Sequence, residues 1–152
     1  TSLQRLELFN LKGDSLPSSI GNLSNLEYLL LRNDHIKYLP EINGELSKLK
    51  VLDLGYNDLS TLNKGFFQNL SLDILFLDNE TKLKSLSGLT SIKSLKELHI
   101  ENSDIDINGL NIQGLERVYM QSQSDRKGVN LKLENMKLSS PINYQTGTIP
   151  IR

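Results

Sequence analysis

The chain of 152 residues has no cysteine, no tryptophan and no alanine. Without cysteine there is no disulfide, no thiol nucleophile and no thiolate ligand for a metal. Neither sign of charge predominates: 17 Lys and Arg against 18 Asp and Glu leave a formal net charge of −1. There is also no Lys/Arg block, so no basic field exists to attract a nucleic acid. Apolar runs are only a few residues long, far short of the ~20 that a membrane-spanning helix needs. No charged n-region followed by an apolar h-region opens the sequence. No G-x-S-x-G elbow, phosphate-binding glycine loop or H-E-x-x-H motif occurs. The two histidines, His35 and His99, fall on a turn and a strand three repeats apart. At ~4.8 Å per parallel strand they are roughly 14 Å from one another and cannot share a metal. The expectation is a non-enzymatic chain with no cofactor and no metal, no nucleic-acid partner and no membrane insertion.

What is abundant is leucine, 31 of the 152 residues. The spacing L-x-x-L-x-L begins at Leu3, Leu26, Leu49 and Leu72, and in near-identical form at Leu95. Each start is 23 residues after the last. A sixth unit starts early, at Leu115, with Val118 and Met120 in the later places. Self-similarity at such a period is the signature of stacked supersecondary units, none of which can bury its apolar face alone. In residues 49–71, Val51-Leu52-Asp53-Leu54 alternates in and out as a half-buried strand does. Asn57 suits the turn that follows. Leu59 and Leu62 then face inward, and Phe66, Phe67 or Leu70 close the unit. In the fourth unit Leu83, Leu86, Leu89 and Ile92 are spaced by three, which suits 3₁₀-like turns.

These units resemble the leucine-rich repeat family over residues 3–123. Leu16-Pro17, Ile20-Gly21 and Leu39-Pro40 resemble its 23-residue LPxxIGxLxxL subclass. The resemblance implies an α/β repeat solenoid: a curved horseshoe with a parallel concave sheet and an irregular or 3₁₀ convex side. It also implies a protein-binding role through the concave sheet. The family's turn asparagine is matched at Asn57, whereas the other units hold Leu11, Asp34, Glu80, Ser103 and Gln123 there. The family's buried asparagine ladder is therefore expected to be mostly missing. The Cys-rich caps of secreted members are absent too. That suggests a bacterial chain, internalin-like and displayed on the cell surface or secreted, with a cytoplasmic location as the alternative.

The expected organisation is a solenoid over 1–123, with repeats starting near 3, 26, 49, 72, 95 and 115. Residues 124–152 would form a degenerate final repeat acting as a cap, or the start of a following β-domain. A shortened seventh strand is expected on Leu131 and Leu133, and 121–128 is expected to be the least ordered internal loop.

Strand alternation sends the third, fifth and seventh places of each unit outward. Units two to four then carry Tyr28, Leu30, Val51, Ile74 and Phe76 as exposed apolar neighbours. Arg32, Asp53, Asp78, His99 and Glu101 stand beside them, and Tyr56 lies just past its strand. Contiguous apolar side chains with a polar rim mark a partner site. The expected partner is a protein or peptide, with Tyr28, Phe76, Arg32 and Tyr56 as anchors. The chain is expected to be a monomer or a weak homodimer through this face. On this reading Phe76→Ala would weaken binding and barely affect stability. The alternatives are a structural spacer, or a carbohydrate-processing or carbohydrate-binding surface using the carboxylates. Asp104, Asp106, Asn108 and Gly109 fit the first half of a calcium loop, but the place of its bidentate Glu holds Leu115. They are expected to be a solvated loop with Ile105 and Ile107 pointing in.

Overall fold

A leucine at the fourth and sixth places of a unit turns one side of a short strand to the core. The residues between are left to the other side. In the computed structural model each unit contributes one such strand of three residues. These are β1 (Arg5–Glu7), β2 (Tyr28–Leu30), β3 (Val51–Asp53), β4 (Ile74–Phe76), β5 (Glu97–His99), β6 (Arg117–Tyr119) and β7 (Lys137–Ser139). The structure describes residues 2–42, 45–107 and 112–120, and the backbone of 137–139. The strands form one sheet in chain order, and every pairing is parallel. The pairing follows the repeat: Leu6, Leu29, Leu52, Leu75, Leu98 and Val118 lie side by side. β7 sets Leu138 beside Val118. Leu131, Leu133, Asn108, Gly109 and the 121–128 loop lie outside the described residues.

Leu29, Leu52, Leu75 and Leu98 have 0% exposure. Each leucine so covered contributes about 1.5–3 kcal/mol of burial. The return arms close the other side of this core. Asn63 starts a one-turn helix, α1 (Lys64–Phe67), by accepting from the Gly65 N–H at 2.9 Å. Phe66 and Phe67 are both buried by it. Leu83, Leu86, Leu89 and Ile92 are buried as well, and a 3₁₀ turn spans Ser87–Leu89.

Backbone pairing continues past the strand ends. The Asn33 N–H donates to Gly55 O at 3.0 Å, Tyr56 N–H to Asp78 O at 2.9 Å, and Asn79 N–H to Glu101 O at 2.8 Å. The chain then turns through a left-handed residue. Asn10, Asn33, Tyr56, Asn79 and Asn102 all have φ between 52° and 63°, at a constant interval of 23. Asparagine tolerates this conformation better than other residues with a side chain. The column was legible as four asparagines and one tyrosine. It is easily overlooked beside the next column, where only Asn57 fits the family.

That next column corrects an expectation. The turn ladder is present, built from other residue types. Asn57 Oδ1 accepts from the N–H groups of Asp34 and Ile36, both at 3.0 Å, and Asn57 Nδ2 donates to Leu31 O and Leu54 O, both at 2.8 Å. Glu80 does the accepting half of this work one unit on. Its two oxygens take the N–H groups of Asn57 (2.9 Å) and Leu59 (3.0 Å). Asp34 accepts from Leu11 N–H at 3.2 Å, while Ser103 accepts from Glu80 N–H at 3.3 Å and donates to Leu77 O at 3.0 Å. What a buried turn requires is an acceptor for its N–H groups, and a carboxylate or a hydroxyl supplies one as an amide does.

Candidate functional site

The outer face of the sheet carries the residues singled out from the sequence. Leu30, Val51 and Phe76 form an apolar cluster separate from the main core, with Tyr28 and Ile74 packed against it. Their outward direction follows from alternation, but their expected exposure does not hold. Leu30 is 5% exposed, and Val51 and Phe76 are 7% exposed. In-register strands ~4.8 Å apart set each side chain against its column neighbours on both sides. His99 adds to this: its ring stacks on Phe76 at 4.2 Å and on Tyr119 at 4.3 Å. Phe76 is thus part of a packed cluster, and truncating it would cost stability as well as any contact it makes.

The polar members are drawn together by Arg32. Its Nη1 donates to both oxygens of Asp53, at 3.1 and 3.3 Å, and to Asp78 Oδ1 at 3.3 Å. Its Nη2 bonds Asp78 Oδ2. Arg32 belongs to the second unit and Asp78 to the fourth, so the guanidinium has to cross the third. It crosses at Gly55. A Cβ built there would lie 2.5 Å from Arg32 Nη1 and 3.0 Å from Asp78 Oδ1. Asp53 also accepts from the Gly55 N–H at 2.9 Å. Burial pushes the Asp53 carboxyl up from its ordinary value, and Arg32 draws it part of the way back. Tyr56 closes the group: its ring lies over the Arg32 guanidinium at 4.7 Å and is 48% exposed. The sequence reading named Arg32, Asp53, Tyr56 and Asp78 separately. It missed Gly55, whose lack of a side chain brings them together.

Gly55→Ala should therefore destabilise the fold by about 1–3 kcal/mol, through overpacking against the ion pair. The measurement is urea unfolding of Gly55→Ala, Arg32→Gln and the double variant. In the Arg32→Gln background the added methyl should cost little, giving a coupling of at least about 1 kcal/mol. An equal cost in both backgrounds would mean that Gly55 does not serve as the passage for Arg32.

Further along the face, Arg117 pairs with Glu97, and Glu97 also lies 3.4 Å from His99 Nε2. Burial holds the His99 ring down at about 4, against the raising effect of Glu97, so it is neutral near pH 7. Glu101 stands beside Asp78 at the next place of the same column. Burial first, and Asp78 second, push its carboxyl up to about 7. In the half-matched calcium loop, Asp104 bonds Lys84 at 3.0 Å, and Ile105 and Ile107 are buried.

Short in-register parallel strands, leucine anchors and a buried polar ladder in the turns define a leucine-rich repeat solenoid. The comparisons agree. The leucine rich repeat family model matches residues 24–83. A stretch of the probable inactive serine/threonine-protein kinase roco10 of Dictyostelium discoideum is 26% identical over 134 residues, covering 70% of this chain and 5% of the relative. The disease resistance protein UNI of Arabidopsis thaliana is 33% identical over 90 residues, 59% of this chain and 10% of the relative. A probable disease resistance protein of the same plant is 36% identical over 96 residues, 60% of this chain and 10% of the relative. The chain spans a tenth or less of the length of these relatives. None of the three is bacterial, so they lend no weight to the bacterial, internalin-like affinity expected from the sequence. Leucine-rich repeat domains in general mediate protein–protein interaction.

Proposed function

We propose that this chain is a protein–protein interaction module whose outer sheet face binds a protein or peptide segment, with Tyr56 and Arg32 at the centre of the contact. The observation that carries this reading is Tyr56. Four of the five left-handed positions that recur every 23 residues use asparagine, and this one holds a half-exposed aromatic ring. A bulky residue in that conformation costs of order 1 kcal/mol or more, and such cost persists where function uses it. The ring gains only a cation–π contact at an exposed site, about 0.5–1 kcal/mol. Beneath it lies an ion pair with two buried carboxylates, an arrangement that gives little net stability to a fold. A spacer would need neither. Aromatic and Arg side chains at the centre of a face are the usual anchors of protein contacts.

The test starts from random peptides displayed on phage and selected on the immobilised chain. Affinities of the selected peptides are then measured for the wild type and for Tyr56→Asn. Asparagine is what the other four units use at this place, so the fold is kept. Binding should weaken about thirtyfold, roughly 2 kcal/mol, the range of a hot-spot residue. Equal affinity for both proteins would remove Tyr56 from the contact and this reading with it.

A further inference from the structure

At one edge of the described sheet, β1 pairs with β2 on one side only. Alternation decides which of its backbone groups that pairing uses. Glu27 and Tyr28 N–H donate to Gln4 O at 2.7 and 3.0 Å, and Leu8 N–H donates to Leu30 O at 3.1 Å. Gln4 and Leu8 thus bond towards β2 and, with a period of two, so does Leu6. The N–H and C=O groups of Arg5 and Glu7 then point the other way, where no described strand lies. The core is open at the same edge. Leu6, Leu8, Leu11 and Leu23 are only partly buried, whereas Leu29, Leu52, Leu75 and Leu98, in the same column as Leu6, are fully covered. Leu3 and Phe9, beyond the two ends of β1, are both exposed. An unpaired strand edge is a template for another strand, the more so beside open apolar surface.

We infer that this edge takes a second copy of the chain, β1 lying antiparallel to the β1 of that copy with Leu6 facing Leu6 across a two-fold axis. Charge selects this register. Centring the pair on Arg5 would set Arg5 against Arg5, and centring it on Glu7 would set Glu7 against Glu7; like charges directly opposite destabilise a sheet. Centred on Leu6, Arg5 of each copy faces Glu7 of the other, once on each side of the axis. These are the residues whose backbone groups are free, and each facing pair exchanges two N–H···O bonds. Within one chain Arg5 already holds Glu7 at 3.1 Å on the outer face, so each charge has only to exchange its own neighbour for the copy's. The two Leu6 residues meet with Cα atoms ~4.5 Å apart and carry the leucine column from one copy into the other. The Leu3 end of each β1 comes beside the Phe9 end of its counterpart, so exposed apolar side chains meet there. The two outer faces then lie side by side on one sheet, and a dimer offers the contact proposed at Tyr56 twice. The pairing itself does not depend on that contact.

The experiment is sedimentation equilibrium of the 152-residue chain over a range of concentrations. The mass should rise from that of one chain towards twice that value. Arg5→Glu sets two acids opposite one another, and Glu7→Arg sets two guanidinium groups opposite one another. Each variant alone should associate about tenfold more weakly or worse, because two pairs turn from attraction to repulsion. Mixed in equal amounts, the two variants should associate about as well as wild type, since pairing one with the other restores opposite charges at both places. Urea unfolding checks that each variant is folded. A mass of one chain at every concentration would overturn the inference and leave the edge to another occupant. A wild-type dimer that both variants leave intact would overturn it by placing the contact elsewhere, the outer face included. A mixture that associates no better than its components would overturn it as well, since the two β1 strands would not then face one another in this register.

Discussion

Replacing Leu52 by alanine should cost about 3–5 kcal/mol, near the upper end of what a buried leucine commands. Leu52 is fully covered and sits in β3, with Leu29 on one side and Leu75 on the other. A solenoid is held together by contacts between neighbouring units, so a cavity in the third unit weakens two interfaces at once. The backbone around Leu52 is fixed by parallel pairing on both sides and has little freedom to collapse into the space. Urea unfolding of wild type and Leu52→Ala, compared at equal m-values, gives the number. A cost below about half a kcal/mol would place Leu52 outside the core and break the register of the whole sheet.

That register was the most legible feature of the sequence. A leucine repeated every 23 residues leaves one pairing in which the anchors stay together, and the strands adopt it. A slip of one residue would turn every anchor outward. The direction of the outer-face side chains was legible for the same reason. Their covering was not, because it depends on what stands in the neighbouring columns. Arg32 reaches Asp78 only because Gly55 intervenes, and His99 is covered because Phe76 and Tyr119 flank it. Such effects run across the strands, between residues far apart in the chain. The turn ladder was misjudged for another reason: asparagine was sought by name. The role is set by geometry, an acceptor aimed at two N–H groups of the preceding turn, and Glu80 fills it with two oxygens where Asn57 uses one.

This substitution of carboxylate for amide makes stability depend on pH. Burial pushes the Glu80 carboxyl up to about 8 from its ordinary 4.5, and the two N–H donors only partly oppose this. Between those values the folded chain holds a proton that the unfolded chain has released, so stability falls as pH rises through the interval. His99 acts with the opposite sign at the acidic end. Its value is lowered to about 4 from 6.5, so between those two the unfolded chain binds the extra proton and stability rises with pH. The two slopes offset one another below about pH 6.5. Above it only the raised carboxyls remain, Glu101 up to about 7 and Glu80 up to about 8. At about 1.36 kcal/mol per pH unit, Glu80 alone should cost the fold about 2 kcal/mol between pH 6.5 and 8. Glu80→Asn should abolish most of that loss and be the more stable protein at pH 8. Its one oxygen can take both N–H groups, as Asn57 does, and its amide can donate to the strand carbonyls without carrying a charge. Urea titrations of both proteins at pH 6.5 and pH 8 decide the matter. A wild type equally stable at the two values, or a Glu80→Asn variant with the same loss, would mean that Glu80 is not the titrating group of the ladder.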